Sequence, residues 1–412
     1  MPNIKKNQSK KTSFFKKLTN GFIIGNADND PAGISTYTIT GAQTGLSLVL
    51  FHLLSLPLLI NTQAICARIG DVTKKGLAST IKLYFGKPIA IISMLLVILA
   101  NIFTLGADFA GVAAGLNLIF PKINILFLLP LVAGFLWYII VFKSYKFISR
   151  VLAGLGIIFF TYVITAFLTK PDWLQVANDI FIPDISFSPR FWLIAIAMLG
   201  TTITPFLFYW QVTEEVEDHP NVKDVKTEIG QISWGLTFAI IVSTFMIITS
   251  ALTLHPAGIQ VNSAAEAAMA LKPLAGHFSS LLFSIGIIGA GLLAIPVLTS
   301  TTAYTVAETF GWKQGLNKKV NQAKGFYAVL TLSFFIGLSI ALLKFNPIKI
   351  LFYSQVINGL ITPFILILIL KIATKEVIMK KYTINKTQQI IGWITVVVMV
   401  AAGAAAFLPN LY

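Results

Sequence analysis

Apolar stretches of about twenty residues follow one another from Gly21 to Phe407, separated by polar punctuation too short to fold alone. In a helix, about twenty apolar residues cross the roughly 30 Å hydrocarbon core of a bilayer. No water is available there for backbone N–H and C=O groups, so a chain of this kind folds as a bundle of spanning helices. Eleven spans are predicted, at about 21–46, 47–69, 88–116, 124–142, 150–168, 190–213, 230–253, 278–305, 326–343, 350–371 and 388–408. Charged residues are only 11% of the chain, against roughly 25% in soluble domains. The expectation is one all-α membrane domain over 18–408, preceded by a cytoplasmic polar tail at 1–17.

The net charge of +15 invites a nucleic-acid reading, but the placement of the charges excludes it. Of the 31 lysines and arginines, 25 lie in the alternate segments 1–20, 68–87, 143–150, 223–226, 313–324 and 371–386. That is the positive-inside bias, with a cytoplasmic N-terminus and, after an odd number of spans, an extracytoplasmic C-terminus. No basic stripe is interleaved with stacking aromatics. The short loops suit a cell inner (plasma) membrane protein. Cys66 is the only cysteine and the four histidines are scattered, so neither a disulfide nor a thiolate metal cluster is expected. Nucleophile elbow, Walker loop and dinucleotide fingerprint are all missing, which argues against an enzyme, a bound cofactor or a nucleotide-driven pump. The bilayer is the one partner required, and no protein partner is evident.

Two spans are interrupted. The first carries Asp28-Asn29-Asp30-Pro31-Ala32-Gly33 amid apolar residues. A charged Asp at the centre of a spanning helix costs at least ~2.5–3.5 kcal/mol, so such carboxylates mark ion, proton or substrate work. Pro31 removes a backbone donor and Gly33 lets the chain leave helical geometry. The sixth span carries Gly200-Thr201-Thr202-Ile203-Thr204-Pro205, a break bearing hydroxyls. Each break falls in the first helix of a five-helix half, and those two helices run in opposite directions. This predicts two inverted repeats, about 18–168 and 190–371, plus an extra helix at 388–408, with a cation site where the breaks meet and glycine hinges at Gly33 and Gly200.

Other polar residues inside spans are few. Asp108 in the third span reads as an ion or proton waypoint or as an interhelical tie. Gln355 and Asn358 lie three apart on one face of the tenth span, as packing glue or as amide ligands. Glu214, Glu215, Glu217 and Asp218 read as a solvated inner loop, or as an acidic rim that concentrates cations and lies on an ion path. Asp28 is a further candidate on that path.

These motifs resemble the Nramp family of divalent metal transporters, which adopt the LeuT-like fold. Asp30-Pro31-Ala32-Gly33 is similar to the family's first-helix Asp-Pro-Gly-Asn, Gln63-Ala64-Ile65-Cys66-Ala67-Arg68-Ile69-Gly70 to its second-helix signature, and Ser354-Gln355-Val356 to its tenth helix. The resemblance implies a metal bound by the Asp30 carboxylate, the Ala27 and Thr201 carbonyls and the Gln355 amide. Gly33 stands where the family has Asn, Thr204 where it has a Met thioether, Phe206 where it has His, and Gly111 where members often carry Glu.

Those departures resemble the magnesium-transporting branch related to Nramp. A thioether is a soft ligand, whereas hydroxyl, carboxylate, carbonyl and water suit Mg²⁺ and Mn²⁺, and Mg²⁺ keeps several waters around one or two carboxylates. The expected function is import of Mg²⁺, and also Mn²⁺, as transported substrate without proton coupling, by alternating access. Thr204 and Asn358 complete the expected shell. The alternatives are a proton-coupled Mn²⁺ or Fe²⁺ symporter, an amino-acid transporter of the same fold, which Asp28 and Asp30 disfavour, and a non-transporting receptor or scaffold.

Overall fold

The computed structural model describes residues 30–142, 158–218, 225–343 and 345–407. The expected tail, Ala27 and Asp28 lie outside the described residues. Twelve helices carry the architecture: α1 (Pro31–Thr44), α2 (Val49–Thr73), α3 (Leu77–Ile119), α4 (Ile125–Phe142), α5 (Phe160–Leu168), α6 (Pro189–Thr202), α7 (Pro205–Asp218), α8 (Val225–Thr253), α9 (Ser279–Phe310), α10 (Lys324–Leu342), α11 (Pro347–Ala373) and α12 (Lys386–Phe407). Among the described residues, nine helical stretches are long and apolar enough to cross a membrane, with α6 and α7 together making one of them. Residues 1–29, upstream of α1, and 143–157, upstream of α5, fall outside the described set.

Local sequence sets the helix starts. Asp30, Ser188 and Asn346 cap α1, α6 and α11 with side-chain oxygens, each followed by a proline. Proline suits the first helical position because its missing N–H is one that would have no helical partner. Within α3, Gly86 takes a left-handed φ of 83° just before Pro88, so Leu77–Phe85 is set off from the spanning part. Glycine is the residue that reaches this φ without a Cβ clash.

Packing sorts the helices into two bodies. α1 packs on α6 and α8, and α2 on α7 and α8, while α3 packs chiefly on α9, α10 and α11. α4 covers the outside of α3 and α10, α12 lies over α6 and α11, and α11 touches both bodies. Buried polar residues string four helices of the first body together. The Tyr37 hydroxyl meets Thr202 Oγ1 at 3.1 Å, Tyr37 packs at 5.0 Å on the His52 ring, and His52 Nε2 meets Ser243 Oγ at 2.7 Å.

The α2–α3 connection is three residues long, with Lys74 at φ 52°. Beyond it, the start of α3 is pinned to α9. Glu308 Oε2 accepts the Ala78 and Ser79 N–H groups at 3.0 and 3.3 Å, and Lys82 Nζ donates to the Thr309 carbonyl at 2.8 Å. A Cβ on Gly76 would overlap that carboxylate. Replacing Glu308 with alanine leaves two N–H groups without their acceptor, and a stability loss of about 1–3 kcal/mol is expected. Thermal unfolding of the purified protein in detergent checks this, and an unchanged midpoint would show that the pin contributes nothing.

Candidate functional site

The first break is organised around Asp30. Its backbone is extended (φ −71°, ψ 170°), its carbonyl accepts the Ile34 N–H at 3.0 Å, and its Oδ1 accepts the Gly33 N–H. Gly33 therefore sits inside the first turn of α1, and the departure from helix lies upstream of Pro31. The expectation that Gly33 itself opens the helix is corrected. Its contribution to the site is an N–H on the carboxylate, which holds a negative charge at a helix N-terminus where the macrodipole favours it. The small residues Gly111 and Gly291 let α3 and α9 close on Pro31, since a Cβ on either would press against the proline ring.

The second break lies at Ile203 and Thr204, between α6 and α7. Gly200 is helical and three residues upstream, so the second glycine hinge is also corrected. A Cβ there would overlap the Gln355 carbonyl oxygen and the Gly359 backbone, which makes Gly200 a point of close helix approach. Thr201 precedes Pro205 by four residues, and a proline nitrogen has no hydrogen to donate to its carbonyl. The Ile203 carbonyl, by contrast, accepts from Thr362 Oγ1 at 2.9 Å.

The tenth predicted span, α11, faces both breaks. Asn358 Nδ2 donates to Gln355 Oε1 at 2.9 Å and to Thr104 Oγ1 at 3.1 Å, and Gln355 Nε2 reaches Ser354 Oγ at 3.3 Å. The two amides hold each other, and Thr104 of α3 braces the pair. Asp30, Thr201, Thr204, Gln355 and Asn358 are all at most 3% exposed. On the side of the α1 C-terminus, Arg190 donates through Nε and Nη2 to Gln43 Oε1 at 3.1 and 2.9 Å and lies 5.0 Å over the Phe352 ring, joining α1, α6 and α11.

One polar group here has no hydrogen-bond partner among the described residues: the Thr204 hydroxyl. Buried groups of this kind are normally paired, and an orphan calls for an explanation such as a bound ion. Asp108 faces the Ala32 N–H at the start of α1, which fits a waypoint and an interhelical tie alike. Asp108 precedes Gly111 by three residues, on the α3 face that meets Pro31, and is near enough to Asp30 for the two charges to repel.

Glu214 and Glu215 do not form a solvated loop. They belong to the last turns of α7, where Glu215 is buried and accepts from Gln211 Nε2 at 2.8 Å. Glu217 accepts from the Tyr304 hydroxyl, which in turn accepts the Leu316 N–H at 2.9 Å. Sequence reasoning missed Thr104 and Thr362. Thr362 was within reach, because it follows Asn358 by four residues on the same helical face; Thr104 gave no local signal.

Residues 21–408 match the model of Nramp, the natural resistance-associated macrophage protein-like family. The chain belongs to the Nramp family. Its relatives include the divalent metal cation transporter MntH of Caldanaerobacter subterraneus subsp. tengcongensis, 28% identical over 92% of this chain and 89% of that protein. MntH of Clostridium acetobutylicum is likewise 28% identical, over 92% and 87% of the two chains. Among solved structures, a manganese transporter from Eremococcus coleocola superposes with a TM-score of 0.77 at 19% identity, covering 95% of this chain and 86% of that one. Mhp1, a nucleobase-cation-symport-1 family transporter, superposes at 0.60 with 13% identity, over 96% and 94%. The fold of this Nramp protein is thus the LeuT-like one, with two inverted five-helix repeats and an eleventh helix. Nramp proteins are membrane transporters and not enzymes.

Proposed function

We propose that this Nramp protein imports hard divalent cations, Mg²⁺ and also Mn²⁺, by alternating access and without obligatory proton coupling. Divalent metal transport agrees with the names of its relatives. The preference for hard ions rests on one observation: the Thr204 hydroxyl, buried and without a partner, occupies the second break where the resemblance implies a thioether. Asp30 supplies charge, Ala27 and Thr201 supply carbonyls, and Thr204 and Gln355 supply neutral oxygens. Asn358 completes the shell by orienting Gln355. With the N-terminus cytoplasmic in the inner membrane, an inside-negative potential of about 100 mV favours entry of a divalent ion by about 4.6 kcal/mol, so protons are not needed as a driving force. Phe206 cannot titrate.

The test is influx into liposomes under an imposed potential, with a pH-sensitive dye inside. Mg²⁺ flux without metal-dependent acidification is expected. Thr204→Met is expected to raise the ratio of Mn²⁺ to Mg²⁺ rates roughly tenfold, or about 1.4 kcal/mol. A wild type that already rejects Mg²⁺ would sink the selectivity argument. The buried Asp108 carboxylate near Asp30 favours a second reading, proton-coupled Mn²⁺ symport. Mn²⁺ entry that acidifies the lumen, and an Asp108→Asn variant that loses the acidification, would establish that one instead.

A further inference from the structure

A groove of about 1170 Å³ lies between α4 and α10, at the end of the bundle where α4 stops at Phe142 and α10 starts at Lys324. It is larger than the roughly 300–1,000 Å³ of ordinary small-molecule sites. Its walls are the lipid-facing sides of the two helices, with Trp137 and Phe142 on one and Leu332 and Phe335 on the other. Its mouth carries Lys318, Lys319 and Lys324, all exposed and none with an acidic partner among the described residues. No Asp or Glu lines it among the described residues.

We propose that this groove binds an anionic phospholipid of the adjoining leaflet, with the headgroup phosphate among the three lysines and an acyl chain against Trp137 and Leu332. An apolar trough opening onto the hydrocarbon, closed at headgroup level by unbalanced positive charge, matches both parts of such a molecule. Basic pockets between spanning helices are the general form of anionic-lipid sites. The mouth is also ordered from within the protein. The Tyr327 hydroxyl donates to the Lys318 carbonyl at 2.8 Å, and the Leu316 N–H is held by the Tyr304 hydroxyl, which is bonded to Glu217 at the end of α7. Leu316, two residues before Lys318, is therefore two hydrogen bonds from a half-helix of the transport site. The proposed orientation decides only which leaflet supplies the lipid.

Trp137 makes binding readable without any transport measurement. The protein is reconstituted in vesicles with the test lipid in both leaflets, using brominated phosphatidylglycerol or brominated phosphatidylcholine, with Trp137→Phe protein marking the background. The Trp137 signal is expected to be half-quenched at a mole fraction of the anionic lipid at least roughly tenfold lower, since each of the three lysines near an anionic surface contributes up to about a fivefold factor, or roughly a hundredfold together. Lys318→Gln, Lys319→Gln and Lys324→Gln together should erase that preference, and the three corresponding arginine substitutions should retain it. Equal quenching by both lipids, no quenching by either, or a preference that survives the glutamine substitutions would each overturn the site. Loss of metal flux would leave this readout untouched, so failure of the transport reading and failure of the lipid site are separable.

Discussion

Asp30→Asn protein is expected to fold with nearly the stability of the wild type and to take up metal at least about a hundredfold more slowly. Asparagine caps a helix as well as aspartate does, so the substitution keeps the bond to the Gly33 N–H while removing the charge. Two unit charges 4 Å apart attract by about 4 kcal/mol at an effective dielectric of 20, and a divalent ion doubles that. A hundredfold loss, about 2.8 kcal/mol, is therefore a modest expectation. Asp30→Ala should abolish uptake as well, with a further stability cost of about 1 kcal/mol from the lost cap. Metal-driven flux in liposomes, read beside the melting midpoint of the same preparation, separates the two effects. An asparagine variant that transports within a few-fold of wild type would move the cation to another site.

Gly200→Val should be among the most damaging single changes in the protein. The new side chain would have to occupy space held by the Gln355 carbonyl oxygen and the Gly359 backbone, and backbone cannot rotate away as a side chain can. Overpacking typically costs 1–3 kcal/mol when side chains can adjust, and here about 3 kcal/mol or more is expected. The same displacement would carry Thr201 away from Gln355, so any folded fraction should also be inactive. Size-exclusion profiles and melting midpoints test this directly. A monodisperse protein with an unchanged midpoint would mean that α6 and α11 do not meet as described.

Much of this architecture is legible in the sequence because a bilayer leaves few choices. Twenty apolar residues in a row spell a spanning helix, and a proline with carboxylates beside it in such a run points to a break; hydroxyls alone do not, since Pro296 and Pro363 lie beside Thr299 and Thr362 inside continuous helices. The positions of the breaks were less legible. Gly33 and Gly200 carry the same signal whether a glycine bends a chain or admits a neighbour, and only the neighbours distinguish the two. For Gly200 the neighbour is 155 residues away in the sequence. Glu215 reads from sequence as part of a solvated loop or an acidic rim, yet its partner Gln211 lies four residues earlier on the same helical face, a pairing that helical periodicity does provide. Glu308 and Ala78 are 230 residues apart, and no local pattern announces their contact. Ala27 and Thr201 each stand four residues before a proline, a pairing visible from sequence once the helical hydrogen-bond register is applied to it.

The three residues between α2 and α3 set a geometric limit on how the two bodies can move. Fully extended, they reach about 10 Å, and Glu308 fixes one end of that leash to α9. Sliding one body past the other through the thickness of a bilayer would exceed its length. Rotation about this corner would not, and a rotation opens widest at the points farthest from its pivot. The leash thus rules out an elevator-like stroke and leaves a rocking one, in which the sweep of each helix grows with its distance from Lys74.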